Sequence, residues 1–354
     1  MSSPTHVFVS GYTQAPYGSG PGVVRYALAP DGSIGSEEAR ATAAVNPSYL
    51  AAGGSVLLSV EELPQGRIVA LDPGTLELVG RASSGGADPC HLTLCGSDVW
   101  TANYTSGTAC VTALAELIDG GFMASTTPAS PDLLSHPGTG PVIDRQSESH
   151  AHQVTFTPWG TVLVSDLGAD RIDEYDAHSH VLRGSAQLPP GSGPRHVAIK
   201  GAFLLVAAEL DGHLHVLRRN VLADGADHSW TWLLRTPLAY SLAEQEDAKE
   251  FYPSHLELAA EQDLLYVAVR GANTLVVLDV SGLCGDNPEV PRVLSVVDSG
   301  GNWPRHLALG ENVVYVANQR SDTVTVFSLD QDGLPGAEPV QTIGFGSPAC
   351  VLLG

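Results

Sequence analysis

One short phrase recurs seven times along the chain: a turn marked by proline, an apolar strand, a second apolar strand ending in a polar residue, and a third strand of alternating character. A repeat fixes architecture before any single residue is weighed, because each unit leaves an apolar face that only its neighbour can cover. The phrase reads NPSYLAAGGSVLLSVEE from Asn46, DPCHLTLCGSDVWTANY from Asp88, SHAHQVTFTPWGTVLVSDL from Ser149 and GPRHVAIKGAFLLVAAEL from Gly193. It returns as YPSHLELAAEQDLLYVAVR from Tyr252, WPRHLALGENVVYVANQ from Trp303 and, cut short, SPACVLL from Ser347. The turn position is held by Pro47, Pro89, Ala151, Pro194, Pro253, Pro304 and Pro348, at spacings of 42 to 62 residues. That is the size of a propeller blade.

Runs of four to eight residues rich in Val, Leu, Tyr and Thr, bounded by Gly, Asp, Asn and Pro, mark strands, and helical periodicity is almost absent. Leu264–Val269 and Val313–Ala317 are apolar at successive positions, as for inner strands covered on both faces. Asp322–Ser328 alternates, as for a half-exposed outer strand. The sequence therefore predicts an all-β, seven-bladed propeller forming one domain over residues 1–354, an arrangement that leaves no long open sheet edge. The last phrase stops after one strand, and residues 6–28 lack an opening strand. The C-terminal strand is thus expected to complete the N-terminal blade and close the ring. The largest insertions, roughly 115–148 and 219–251, read as polar loops over one face.

Five cysteines with no metal-type pairing, and no apolar leader before His6, lead us to expect a reduced, cytoplasmic protein. No apolar run approaches the roughly 20 residues that span a bilayer. A net charge of −22, with Lys200 and Lys249 the only lysines, opposes nucleic acid and anionic membranes as partners. The oligomeric state, a homo-oligomer included, stays open.

In a propeller, equivalent positions of all blades converge on the central opening. Two rings follow. The residue after the turn position gives Ser48, Cys90, His152, Arg195, Ser254, Arg305 and Ala349; the polar end of the second strand gives Glu61 or Glu62, Asn103, Asp166, Glu209, Arg270 and Asn318. What repeats in most blades is expected to be structural. His91, His196, His255 and His306 all lie two residues after the proline, where a hydrogen bond repeated from blade to blade would account for them. His152 departs from that pattern by one position. With Arg195, Glu209 and Arg270 it forms a set from three consecutive blades: a histidine to move a proton, a glutamate to assist it, and two arginines for an anion or a developing oxyanion. The bland reading, mutual neutralisation of Glu209 and the arginines, stands beside it.

The stretches SHAHQVTF and SDLGADRI within 149–172, GSGPRHVAI (191–199), AAEL (207–210), YVAVRGANTL (266–275), ANYTSG (102–107) and PRHLALGENVVYVANQRSDTVTVF (304–327) resemble the seven-bladed propeller lactonases. This family includes propeller-type 6-phosphogluconolactonases and carboxy-cis,cis-muconate lactonising enzymes. The resemblance runs from NPSYL to the last blade, and it implies a His, Arg, Glu, Arg active site, which falls on His152, Arg195, Glu209 and Arg270. Two features depart from it: His255, where many members carry an acidic residue, and the acidic loop Ala239–Phe251 with Glu244, Glu246, Asp247 and Glu250.

The expected reaction is hydrolysis of an anionic sugar lactone such as 6-phosphogluconolactone. His152 would act as base on water, Glu209 as its orienting group, and Arg195 and Arg270 would hold the anion and the carbonyl oxygen. Arg305, His255, Asn103 and Asp166 complete the candidate set as substrate-binding groups. No serine nucleophile motif lies near them, and Cys90 belongs to the inner ring without an activating neighbour in sequence. No cofactor is expected. Calcium held by Glu62, Asn103, Asp166 and Asn318 is the alternative, although Asn103 and Asn318 also suit turns at strand ends. The competing functions are a cycloisomerase acting on 3-carboxy-cis,cis-muconate and a non-enzymatic binding propeller.

Overall fold

In the computed structural model, residues 4–119, 132–221, 228–240 and 250–354 are described. Lys249, Glu244, Glu246 and Asp247 lie outside them. Strands consecutive in sequence pair antiparallel into seven four-stranded sheets, the up-and-down blades that the repeat implies. The first blade alone breaks sequence order: His6–Gly11 pairs with Val23–Leu28 on one side and with Pro348–Leu353 on the other, Val9 opposite Val351. Gly354 N donates to His6 O, and His6 N to Gly354 O, both at 3.0 Å. The chain's two ends therefore close the ring.

Seven apolar clusters hold it together, one at each interface between neighbouring blades. Val7, Val9, Val313 and Tyr315 join the seventh blade to the first; Phe203, Leu205, Leu265 and Val267 join the fifth to the sixth. These side chains are almost completely buried, and each Val or Leu so removed from water contributes about 1.5–3 kcal/mol. The runs Leu264–Arg270 and Val313–Asn318 are buried at every position because each is an inner strand with a sheet against both faces.

The alternating segment 322–328 is not an outer strand. Its strand, Thr323–Ser328, is third of four and buried through its middle. Its polar positions are satisfied internally, Thr325 Oγ1 donating to Ser299 O at 2.7 Å. The outermost strand is Gln341–Gly344, whose exposure does alternate.

Loops tie each blade to the next. Asp170, Asn273 and Asp322 all take the left-handed conformation, which Asp and Asn tolerate better than most residues. Their Oδ1 atoms accept from the turn N–H groups of Gly193, Trp303 and Ser347 at 2.7–2.8 Å.

Of the two insertions, 219–251 is not a loop over the face where it is described. It lengthens the outer hairpin of the fifth blade, His213–Val221 with His228–Pro237. The other carries the outer strand Asp132–Ser135 and two short helices, Leu114–Asp119 and Ile143–Gln146, and the second helix does reach the central opening. Among the described residues, no helix is long and apolar enough to cross a membrane.

Candidate active site

The innermost strands share one irregularity that creates the site. Pairing skips a residue immediately after the turn proline or its equivalent, between Pro89 and His91, Ala151 and Gln153, Pro194 and His196, and Pro304 and His306. Such a bulge re-aims side chains that strict alternation would send elsewhere. The skipped residues are Cys90, His152, Arg195 and Arg305, and the residues that follow also face the axis. Tyr49 of the second blade and His196 of the fifth have ring centroids 6.3 Å apart, so these side chains meet at the centre of the ring.

The centre is layered. One layer is aromatic: His196 lies 5.4 Å from both His91 and His152, and 5.0 Å from His255, which stacks on His306 at 3.8 Å. The repeated blade-to-blade hydrogen bond expected of these histidines is only partly present. His306 Nδ1 accepts from Val351 N of the next blade at 3.5 Å, and His196 and His255 share a bond at 2.7 Å. His91 has no hydrogen-bond partner among the described residues and packs on Tyr49 at 3.9 Å. Burial holds all five imidazoles well below the usual histidine range. His255 thus belongs to the aromatic layer.

The other layer is charged and centres on Glu209. Its Oε2 accepts from Arg270 at 2.6 Å and faces Arg195 Nε at 3.2 Å; its Oε1 accepts from Arg145 at 2.6 Å. Burial alone would push this carboxyl up, yet Arg270, Arg195 and Arg145 together hold it well below the ordinary range. A second carboxylate, Glu62, accepts from Tyr12 Oη at 2.8 Å and faces Arg305 at 3.8 Å. Among the described residues, four guanidiniums therefore meet two carboxylates. Burial first, then the adjacent Arg270 and Arg305 guanidiniums, lower Arg195, against the pull of Glu209.

His152 lies beside this layer, buried, with Cys90 Sγ 3.8 Å from its Nδ1 and the Tyr104 ring edge-on at 5.5 Å. Burial and the Arg195 charge keep it neutral, while Glu209 acts in the opposite sense. Burial likewise raises the Cys90 thiol. It is a neutral thiol, not a nucleophile.

Asn103 and Asp166 are not brought to the mouth with these groups. Asn103 Nδ2 donates to Ser84 O at 2.8 Å, and Asn318 Nδ2 to Ser299 O at 3.1 Å. Asp166 accepts from His150 N, Gly168 N and Arg171 at 2.8–3.1 Å. Glu61 is sealed against Arg67 and Arg81 inside its blade. The second ring expected from the sequence mixes two adjacent positions. The true ring is the residue whose N–H donates to the turn carbonyl: Tyr12, Glu62, Tyr104, Leu167, Glu209 and Gln319 bond to Ser347, Asn46, Asp88, His150, Gly193 and Trp303 at 2.8–3.1 Å, and Arg270 pairs with Tyr252.

Three groups at the mouth escaped the sequence reading. Tyr12 and Tyr104 were hidden by that one-residue slip, and Arg145 lies in an insertion that has no repeat register. Of the oxygen donors named for calcium, Glu62 and Asp166 each face a guanidinium, while Asn103 and Asn318 give their Nδ2 to loop carbonyls and keep Oδ1 without a hydrogen-bond partner among the described residues. Among the described residues no group of three or more His, Cys, Asp or Glu could hold a metal ion.

The chain is similar over its length to several other proteins. A 6-phosphogluconolactonase of Bacillus subtilis (strain 168) is 28% identical, covering 97% of each chain. The structure of a periplasmic gluconolactonase of Pseudomonas aeruginosa is 26% identical, with a TM-score of 0.81 over 98% of each chain. A Lactobacillus plantarum protein superposes with a TM-score of 0.81 over 99% of each chain at 23% identity, a likeness of fold. The sequence profile of the family described as lactonase, seven-bladed β-propeller, matches residues 6–353, and the chain belongs to that family.

Proposed function

We propose that this protein is a lactone hydrolase whose substrate carries an anionic group, with 6-phosphogluconolactone the first candidate. The observation that supports this reading most is the charge at the mouth: four guanidiniums against two carboxylates, in a chain whose net charge is −22. A buried excess of positive charge beside a neutral imidazole suits an ester whose carbonyl oxygen becomes negative during reaction. The names carried by the Bacillus and Pseudomonas relatives support the same class.

In the proposed reaction His152 takes a proton from water, and the resulting hydroxide adds to the lactone carbonyl carbon. Arg195 and Arg270 stabilise the oxyanion. The ring C–O bond then breaks, and the imidazolium returns its proton to the departing alkoxide, so no covalent enzyme intermediate or cofactor is required. Glu209 holds both arginines and favours the imidazolium that forms. Because burial and then the Arg195 charge depress His152, a bound anion that offsets the charge raises the basicity of the imidazole when substrate arrives.

The test is proton release from freshly generated 6-phosphogluconolactone, with wild type and His152→Ala side by side in the presence of chelator. Turnover above the spontaneous rate, lost in the variant, is expected. No turnover by the wild type would reject this substrate, and conversion of a muconate instead would reassign the reaction to cycloisomerisation.

A further inference from the structure

We propose that Arg145 is the specificity-determining residue of the site: it leaves Glu209 to bind the substrate's anionic substituent, at the end remote from the lactone carbonyl. This rests on the lactone reading above and divides the arginines by task. Arg195 and Arg270 are enclosed, with side chains 3% and 7% exposed, and share one oxygen of Glu209; Arg145 is 38% exposed and has the other oxygen to itself. Withdrawal of Arg145 therefore leaves Glu209 with two guanidiniums, and the part-exposed group is the one already reachable by an incoming anion. Arg145 NH2 also donates to Tyr104 Oη at 3.2 Å, and the Tyr104 ring meets the His152 ring edge-on at 5.5 Å. Arg145 thus touches Tyr104 and not the base itself, so an anion drawn to it is expected on a distal carbon of the lactone and not beside the ester.

The position of Arg145 is built. It sits in the helix Ile143–Gln146, and the next residue, Gln146, is fully buried. Gln146 Nε2 donates to Leu167 O at 2.9 Å and to Asp170 Oδ1 at 2.7 Å, while Val142 N donates back to its Oε1. Asp170 in turn accepts from Gly191 N and Gly193 N, the turn that opens the Arg195 strand. One aspartate thereby fixes both the insertion helix and the strand carrying Arg195. The guanidinium moves at the end of an anchored backbone.

The experiment compares kcat and KM of wild type, Arg145→Ala and Arg145→Lys on 6-phosphogluconolactone and on uncharged gluconolactone, with inorganic phosphate binding measured by calorimetry. Expected for Arg145→Ala are a KM for the phosphorylated lactone raised at least tenfold with kcat within about threefold. Selectivity for the phosphorylated lactone over the neutral one falls at least tenfold, phosphate affinity falls by a similar factor, and Lys restores part of each. A KM and phosphate affinity like those of wild type, or equal losses on both lactones expressed in kcat, would overturn the proposal and make Arg145 a prop for Glu209. Absence of turnover by the wild type on both lactones would sink the lactonase reading, while the phosphate measurement would still decide whether Arg145 is an anion site.

Discussion

Replacing Glu209 by Gln tests the electrostatic design of the mouth. The side chain is 5% exposed, and glutamine keeps its shape, so what is lost is one charge. Arg145 keeps solvent and Arg305 keeps Glu62; Arg195 and Arg270 are left buried without a carboxylate. Removing one partner of a buried ion pair costs about 3–5 kcal/mol. With an unfolding entropy of about 2.1 cal/mol/K per residue, 354 residues convert this into a Tm lowered by roughly 4–7 °C. The sign of the pH dependence follows from the depressed carboxyl. Its contribution is present in full above the unfolded value of about 4.3 and is lost only as pH falls toward the lower folded value. The gap between wild type and variant, read by calorimetry, should hold from pH 8 to 5 and narrow below about pH 4. Sulfate should raise the Tm of the variant more than that of wild type, because an anion replaces the missing charge. A Tm within 1 °C of wild type, or a gap unchanged down to pH 3, would refute the reasoning.

Two further outcomes are expected. The axial histidines titrate below their unfolded values, so the native state binds fewer protons; their stabilisation is complete above about pH 6.5 and each loses up to about 1.4 kcal/mol per pH unit below it. Urea midpoints should fall steeply from pH 6.5 to 5, and His91→Phe, which keeps the stack on Tyr49, should flatten that slope; parallel curves would show that His91 is not among the groups responsible. Deleting residues 348–354 removes the strand paired with His6–Gly11 and exposes the Val7 and Val9 cluster, so cooperative unfolding should disappear; a truncated chain melting like wild type would mean that closure contributes little.

The ring and its closure could be read from sequence because they depend on spacing and apolar patterning, which survive changes of individual residues. Outer and inner strands were harder to assign. Thr323 and Thr325 imitate solvent-facing positions, yet Thr325 is buried on an internal hydrogen bond, and composition does not distinguish a satisfied hydroxyl from a wet one. His152 stood out because it departs from the histidine repeat, and Arg195, Glu209 and Arg270 because they add complementary charges on neighbouring blades; the structure places these three in one ion-pair cluster beside His152. The slip at Asn103 and Asp166 has a definite origin. In the third and fourth blades the last strand residue, Asn103 or Asp166, is itself polar and stands one before the ring position of Tyr104 and Leu167, whereas in the fifth the strand ends on Ala208 and the first polar residue is Glu209. Arg145 is contributed by an insertion, where only the folded backbone defines a neighbour.

The local and global charges have opposite signs, and this leads to a rate effect. Carboxylates outnumber lysine and arginine by 39 to 17 over the chain, whereas guanidiniums outnumber carboxylates at the mouth. At 0.01 M ionic strength the Debye length is about 30 Å, so an approaching anion feels the repulsive whole; near 0.15 M it is about 8 Å, and the anion feels the mouth alone once it is close. Buried charges are screened less than the surface ones, so salt weakens the repulsion more than the attraction. For a phosphorylated lactone, kcat/KM should therefore rise between these two ionic strengths, while that for an uncharged lactone stays flat. Electrostatic steering by the mouth would give the reverse, a rate falling with salt. A falling rate would show that the four arginines dominate the field well outside the ring, and that the acidic surface leaves the approach open.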